Sequence, residues 1–212
     1  MISNIKPIYL LSDSQLLFSR DTTGQYFLAS VKDDIGKVNI KAVYIGWSNG
    51  NQPEFYELFK EGMKNLQIMD CRMISSEFTA TDKQDLQHAD LILLAGGDVI
   101  AGWERLSETG AAGIIKERYV SGAVLIGISA GAIQLGDRVP FAADNESVEM
   151  MKLVPYIIGA HDEANQWSDL KKAVHLSGTE GIGIPFGTGF KYYSDQRIEI
   201  INKDKELFYY IR

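Results

Sequence analysis

The chain has 212 residues, 45% of them hydrophobic, with one cysteine and a formal net charge of −7. That length suits one α/β domain spanning 1–212, large enough for a sizeable core. The acidic balance, without a block of like charge, argues against a nucleic-acid or membrane-surface binder; a lone cysteine excludes an internal disulfide, and no apolar stretch has the length of a membrane helix.

At the N-terminus, Ile2–Leu11 is short and meets Ser12-Asp13-Ser14 at once, unlike a signal peptide, so a soluble, cytoplasmic protein is expected. Pro7–Leu11 reads as a first buried strand, and the polar cluster at its end suits the ligand-binding rim of a parallel sheet. Thr22–Asp33 reads as a helix that Gly36 ends. Val38–Trp47 is a second strand, closed by the turn signal Ser48-Asn49-Gly50-Asn51. Pro53 opens a helix whose Phe55, Leu58, Phe59 and Met63 share one face. Gln67–Ile74 is a third strand; its Cys71 reads as packed, since nothing nearby lowers its pKa. Thr81-Asp82 is expected to cap a short helix to His88. Asp90–Ala95 is a fourth, strongly apolar strand ending at Gly96-Gly97-Asp98, where a glycine pair lets backbone N–H groups face a site. Helical segments follow at Val99–Leu106 and Ala111–Val120.

Ala123–Leu135 is the organising stretch. Its first half is an apolar, β-branched run that reads as a buried strand; its second half is small and apolar at helical spacing. Between them stands Gly127-Ile128-Ser129-Ala130-Gly131, a G-x-S-x-G pattern. In a strand-to-helix turn this pattern lifts the serine hydroxyl clear of the sheet as a nucleophile elbow. One oxyanion donor is then expected from Ala130, and Gly97 is the candidate for the second.

Gly136–Glu149 is polar and acidic, and Leu153–Ala160 is a further extended apolar run with His161 at its end. Trp167–Leu176 is a short helix, and Gly181–Pro185, Gly189–Ser194, Arg197–Ile201 and Leu207–Ile211 read as terminal strands added antiparallel to the sheet. Strands alternating with helices give a three-layer α/β/α fold around a mostly parallel, doubly wound sheet, flavodoxin-like in plan. The elbow and the Gly96-Gly97 turn then share the carboxyl edge of that sheet.

A serine hydroxyl needs a base, and the base needs an orienting group. Of three histidines, His88 precedes a strand and lies at the wrong edge, and His175 sits late in a helix. His161 ends an apolar strand after the elbow, the right place for a base. Chemistry alone leaves the acid open among Asp137, Asp144, Glu146, Asp162 and Glu163.

Three segments, Ala95-Gly96-Gly97-Asp98, Leu125 through Ala132, and Leu153-Val154-Pro155 leading to His161, resemble the peptidase E and cyanophycinase family, serine peptidases of class I glutamine-amidotransferase-like fold. The resemblance runs from the first strand to Gly181–Pro185. It implies that Asp144, in the loop after the elbow, completes a triad with Ser129 and His161. The chain departs from the family in its glycine turn, in Asp162-Glu163 after the histidine, and in Pro185-Phe186-Gly187. These departures fall where substrate binding is shaped, so the resemblance carries the hydrolytic machinery further than the family's preference for an N-terminal aspartate. Asp162 and Glu163, if they face the pocket, disfavour an acidic substrate.

The expected activity is hydrolysis of short peptides from the free N-terminus, as in a dipeptidase, with Gly96, Asp98 and Asp162 as further substrate contacts. No cofactor or metal is expected, since no metal-ligand motif is present. An esterase on the same elbow and a non-catalytic binding protein of the same fold are the rival readings. A glutaminase fits less well, because those enzymes carry cysteine in the elbow. The terminal strands offer an edge for a homodimer.

Overall fold

A computed structural model of the chain describes residues 5–140, 147–202 and 204–211. In chain order the elements are β1 (Ile8–Leu11), α1 (Ser30–Ile35), β2 (Lys41–Ile45), α2 (Pro53–Asn65), β3 (Asp70–Met73), α3 (Ala80–Gln87) and β4 (Leu91–Leu94). They continue with α4 (Val99–Glu108), α5 (Ala111–Val120), β5 (Val124–Ile128), α6 (Ala130–Leu135), β6 (Arg138–Pro140) and β7 (Ser147–Glu149). The last are β8 (Ile157–Ala160), α7 (Ser168–Ser177), β9 (Gly181–Ile184), β10 (Gly189–Tyr192), β11 (Ile198–Ile200) and β12 (Phe208–Tyr210).

The apolar runs become the strands of a seven-stranded sheet in the order β11-β10-β1-β5-β4-β2-β3. The strands from β1 to β3 in that order are parallel, and β10 and β11 extend the β1 edge antiparallel. Strands β1, β4 and β5 are buried along their whole length, which is why they read as unbroken apolar runs and not as alternating ones. Helices α1 and α2 cover one face through Val31, Ile35, Phe59 and Met63. Helices α3 to α6 cover the other through Leu86, Leu106, Ile115 and Leu135. The fold is therefore α/β with a mostly parallel, doubly wound sheet.

The terminal strands divide, contrary to expectation. Only β10 and β11 join the main sheet; β9 pairs in parallel with β8 and antiparallel with β12 in a separate three-stranded sheet. The Gly-Ile-Gly-Ile alternation of β9 explains the difference. Ile182 and Ile184 enter the core beneath the main sheet, while the glycine positions form a floor for α7. A Cβ on Gly183 would come within 2.6 Å of the Trp167 ring, so the indole lies directly on the strand.

Two local expectations also change. Residues 22–29 are not helical, because the Asp21 carboxylate accepts from Thr23 N, Thr23 Oγ1 and Gln25 N and closes a turn there. Helix α3 is capped by Thr79, not by Thr81-Asp82. The Thr79 hydroxyl takes the Asp82 N–H, and the Asp82 carboxylate takes the Thr79 N–H, a reciprocal capping box.

Candidate active site

The carboxyl edge of the parallel strands carries the site. Strand β5 ends at Ser129, whose φ of 50° and ψ of −110° place a non-glycine residue in a sparsely populated region. The conformation is held from both sides: Ser129 N donates to Leu11 O at 2.9 Å, and Ser129 O accepts from Ile133 N at 3.1 Å as α6 begins. The flanking glycines are needed for space. A Cβ on Gly131 would lie 2.1 Å from Leu94 O, and one on Gly127 would lie 2.6 Å from Gly131 O. The elbow thus fits only because its neighbours lack side chains.

His161 ends β8 in the second sheet, its N–H bonded to Ile184 O at 2.9 Å and its φ at 43°. Its Nε2 stands 2.7 Å from Ser129 Oγ, within hydrogen-bond reach. The described residues give no partner to His161 Nδ1. Asp144 and Glu146 lie outside the described residues. Asp137 Oδ2 accepts from Arg138 Nε at 2.7 Å and Glu163 Oε1 from Phe186 N at 3.0 Å; Asp162 Oδ1 accepts from Asn165 Nδ2 at 2.8 Å, while among the described residues its buried Oδ2 has no hydrogen-bond partner.

The Gly96-Gly97 turn leaves β4 beside the elbow. Gly97 has φ 136°, and a Cβ there would lie 2.1 Å from Ser48 O; only glycine fits. Asp98 N donates to that same Ser48 O at 2.7 Å, so the turn is pinned on the turn after β2. Gln134, 1% exposed, locks the arrangement from beneath: its Nε2 donates to Ser48 Oγ at 3.0 Å and to Val99 O at 2.9 Å. Among the described residues, the N–H groups of Gly97 and Ala130 have no hydrogen-bond acceptor in the protein. Gly97 lines the same cavity as Ser129, and Ala130 follows the serine directly in the chain.

A cavity of about 550 Å³ opens beside Ser129, His161, Gly96 and Gly97. Its wall runs down to Tyr44, Phe59 and Leu93 of the α2-side core, and Phe55, Leu58 and Phe186 stand around it at 40%, 40% and 44% exposure. Burial raises the Tyr44 phenol above its ordinary pKa, with the Asn49 amide bond to its oxygen opposing the shift, so that wall presents a neutral hydroxyl. At one end lies the Asp13 carboxylate, held by Ser12 Oγ and Gly187 N at 2.7 Å and by Gln15 N at 2.9 Å.

The structure therefore brings together Ser129, His161, Gly96, Gly97 and the polar rim of Ser12-Asp13-Ser14. It does not bring in Asp98 or Asp162 as cavity residues. Asp98 is the N-cap of α4, accepting from Ile100 N and Ala101 N. Asp162 lines a second recess, with Gly159 and Asp169, that reaches His161 from its other side. Phe55 and Leu58 read from the sequence only as one helical face with Phe59 and Met63, and Phe186 falls in the Pro185-Phe186-Gly187 departure that the sequence places where substrate binding is shaped. Among the described residues no group of three His, Cys, Asp or Glu could hold a metal ion, and no helix is long and apolar enough to cross a membrane. Cys71 lies away from the cavity, with burial and the neighbouring Asp70 pushing its thiol up to about 11.

Comparison with known proteins adds a consistent result. The family model described as peptidase family S51 matches residues 8–191. Among solved structures, a peptidase from an acI-B1 Actinobacterium is similar, at 18% identity and a TM-score of 0.71, over 98% of this chain and 94% of that one. A putative peptidase E protein from Listeria monocytogenes EGD-e is similar at 16% identity and a TM-score of 0.65, over 98% of this chain and 99% of that one. At those identities the likeness is one of fold. Among curated proteins none matches this sequence.

Proposed function

The chain belongs to peptidase family S51 and is a serine-type peptidase of the peptidase E kind; from that premise we propose that it hydrolyses short peptides from their free N-terminus through Ser129, His161 and Asp144. The observation that carries the reading is the 2.7 Å contact between Ser129 Oγ and His161 Nε2 at the mouth of a cavity. Ser129 Oγ attacks the amide carbonyl carbon while its proton passes to His161 Nε2. The carbonyl oxygen becomes an oxyanion and takes the free N–H groups of Ala130 and Gly97, a contribution of roughly 3–4 kcal/mol per donor in comparable sites. Collapse of this intermediate breaks the C–N bond, and the imidazolium returns the proton to the leaving amine. Water, deprotonated by His161, then hydrolyses the Ser129 ester.

Asp144 is assigned to the imidazole's other nitrogen by the family resemblance. The engagement of Asp137 and Glu163 with other partners supports that choice. The substrate is a soluble small peptide and not nucleic acid or a membrane, and the working compartment is the cytoplasm. Strands β11 and β12, at the ends of their sheets, are the edges on which a homodimer would form.

The test is hydrolysis of free and N-acetylated di- and tripeptides, followed by mass spectrometry, with Ser129→Ala alongside. Cleavage by the parent and loss of more than about 99% of it in the variant is expected, as for removal of a nucleophile. Undiminished activity of the variant would refute the assignment. Preference for esters over amides would favour the esterase reading.

A further inference from the structure

His161 and Phe186 line one side of the cavity beside Ser129, and its apolar wall comes from the layer opposite them. His161 comes from the second sheet, which packs with α3 to α6; Leu17, Tyr44, Phe59, Leu93 and Ile128 belong to the core under α1 and α2. This division has a chemical consequence. The leaving amine must stand at His161, because the imidazolium returns a proton to it. The part of the cavity against the apolar wall, away from His161, is then left for the acyl half of the substrate, the residue whose carbonyl is attacked.

The lining decides what that residue is. Phe55 and Leu58 of α2 turn their apolar side chains to the cavity and stay half-exposed there, although Phe59 and Met63 on the same helix are fully buried. Such side chains gain by being covered, and a ligand is what covers them here. Among the described residues lining the cavity, Asp13 is the one carrying a formal charge; Lys205 stands behind the rim, its Nζ donating to Phe186 O. An acidic side chain would enter against that carboxylate, while the ammonium of Lys205 is already engaged by Phe186 O. A protonated α-amine, by contrast, finds that carboxylate already fixed by three hydrogen bonds.

We infer that the acyl-side residue of the substrate is an N-terminal residue with a large apolar side chain, its side chain against Phe55 and Leu58 and its ammonium at Asp13. This rests on the serine-peptidase reading above and specifies its substrate class. The volume of about 550 Å³ lies within the range of ligand pockets and accommodates a Phe or Leu side chain with its adjoining backbone.

The experiment measures kcat/KM on X-Ala dipeptide amides with X as Phe, Leu, Asp and Lys, each free and N-acetylated, together with fluorophosphonate labelling of Ser129. Phe and Leu are expected to exceed Asp by about 30-fold or more, the factor that burial of such a side chain supplies, and acetylation to remove most of the activity. Leu58→Arg, at a position exposed enough to accept it, is expected to cut the Phe and Leu rates about tenfold and raise the Asp rate. Ser129-dependent cleavage that favours Asp, ignores acetylation or is unmoved by Leu58→Arg overturns the inference and leaves the peptidase reading standing. A panel left uncleaved, with Ser129 also unlabelled, overturns both; uncleaved peptides with Ser129 labelled overturn the substrate class alone.

Discussion

Replacing Gly97 by alanine tests whether the glycine turn supplies an oxyanion donor. Two costs act at once. A φ of 136° is a conformation that L side chains rarely adopt, worth about 1–3 kcal/mol of strain. The new Cβ would also start 2.1 Å from Ser48 O and 2.9 Å from Asn49 N, both backbone atoms in a pinned turn. Relief requires the two turns to part by about 1 Å, and a displacement of that size at a reacting centre costs about 100-fold. With the Gly97 N–H drawn off the oxyanion, the loss of one donor predicts a fall in kcat of about 100- to 1000-fold with KM changed far less. Steady-state kinetics on the best peptide, with thermal unfolding recorded in parallel, gives both quantities. Gly110→Ala is the control: it imposes alanine at φ 74° with nothing within 4 Å of the new Cβ. It should lose stability and keep kcat. A Gly97→Ala enzyme with kcat within about threefold of the parent would refute the role given to this turn, since a lost donor costs far more.

Three further outcomes are expected. Asp144→Asn should lower kcat by about 10⁴-fold with little change in KM, as expected when a triad acid no longer holds the imidazole tautomer, whereas Glu146→Gln should not; kinetics of the pair decides which acid serves His161. Gln134→Leu removes the buried amide that holds Ser48 and Val99, and should cost about 1–3 kcal/mol of stability together with a loss in kcat greater than any rise in KM. Denaturant titration and kinetics measure the two effects. Cys71 should resist alkylation at neutral pH and react progressively faster as pH climbs towards about 11, because burial disfavours its thiolate, and Cys71→Ala should retain activity. Inactivation by thiol reagents at neutral pH would contradict that.

The parts of the site that were legible in the sequence are the local ones. The elbow is spelled by five consecutive residues; Gly127 is fixed by contacts within the same strand-turn-helix unit, and Gly131 by Leu94 of the neighbouring strand β4. His161 was found because an unbroken apolar strand ends on it. What was not legible depends on pairing across the chain. The partner of Gln134 is Ser48, 86 residues away, and no pattern near either residue announces it. The parallel pairing of β8 with β9 depends on α7 and its Trp167 lying on the glycine positions of β9, a fit that alternation alone does not reveal. Phe55 and Leu58 read from the sequence only as one helical face with Phe59 and Met63, because helical periodicity records which side chains avoid water. It does not record whether a core or a ligand keeps them dry.

The two reacting side chains share an unusual backbone feature. Ser129 and His161 are both non-glycine residues at positive φ, each at the last step of a buried strand. Each is held there by a ladder-type bond to the neighbouring strand, Ser129 N to Leu11 O and His161 N to Ile184 O, both 2.9 Å. The strain is thus borne by two different sheets. The Oγ–Nε2 contact exists only because those sheets are packed together through Ile158, Ile182 and Ile184. The second sheet is accordingly part of the chemistry and not a decoration of the fold. In the proposed mechanism it presents the base to the nucleophile of the first sheet, and the cavity between them is lined by His161 on one side and by the α2-side core on the other.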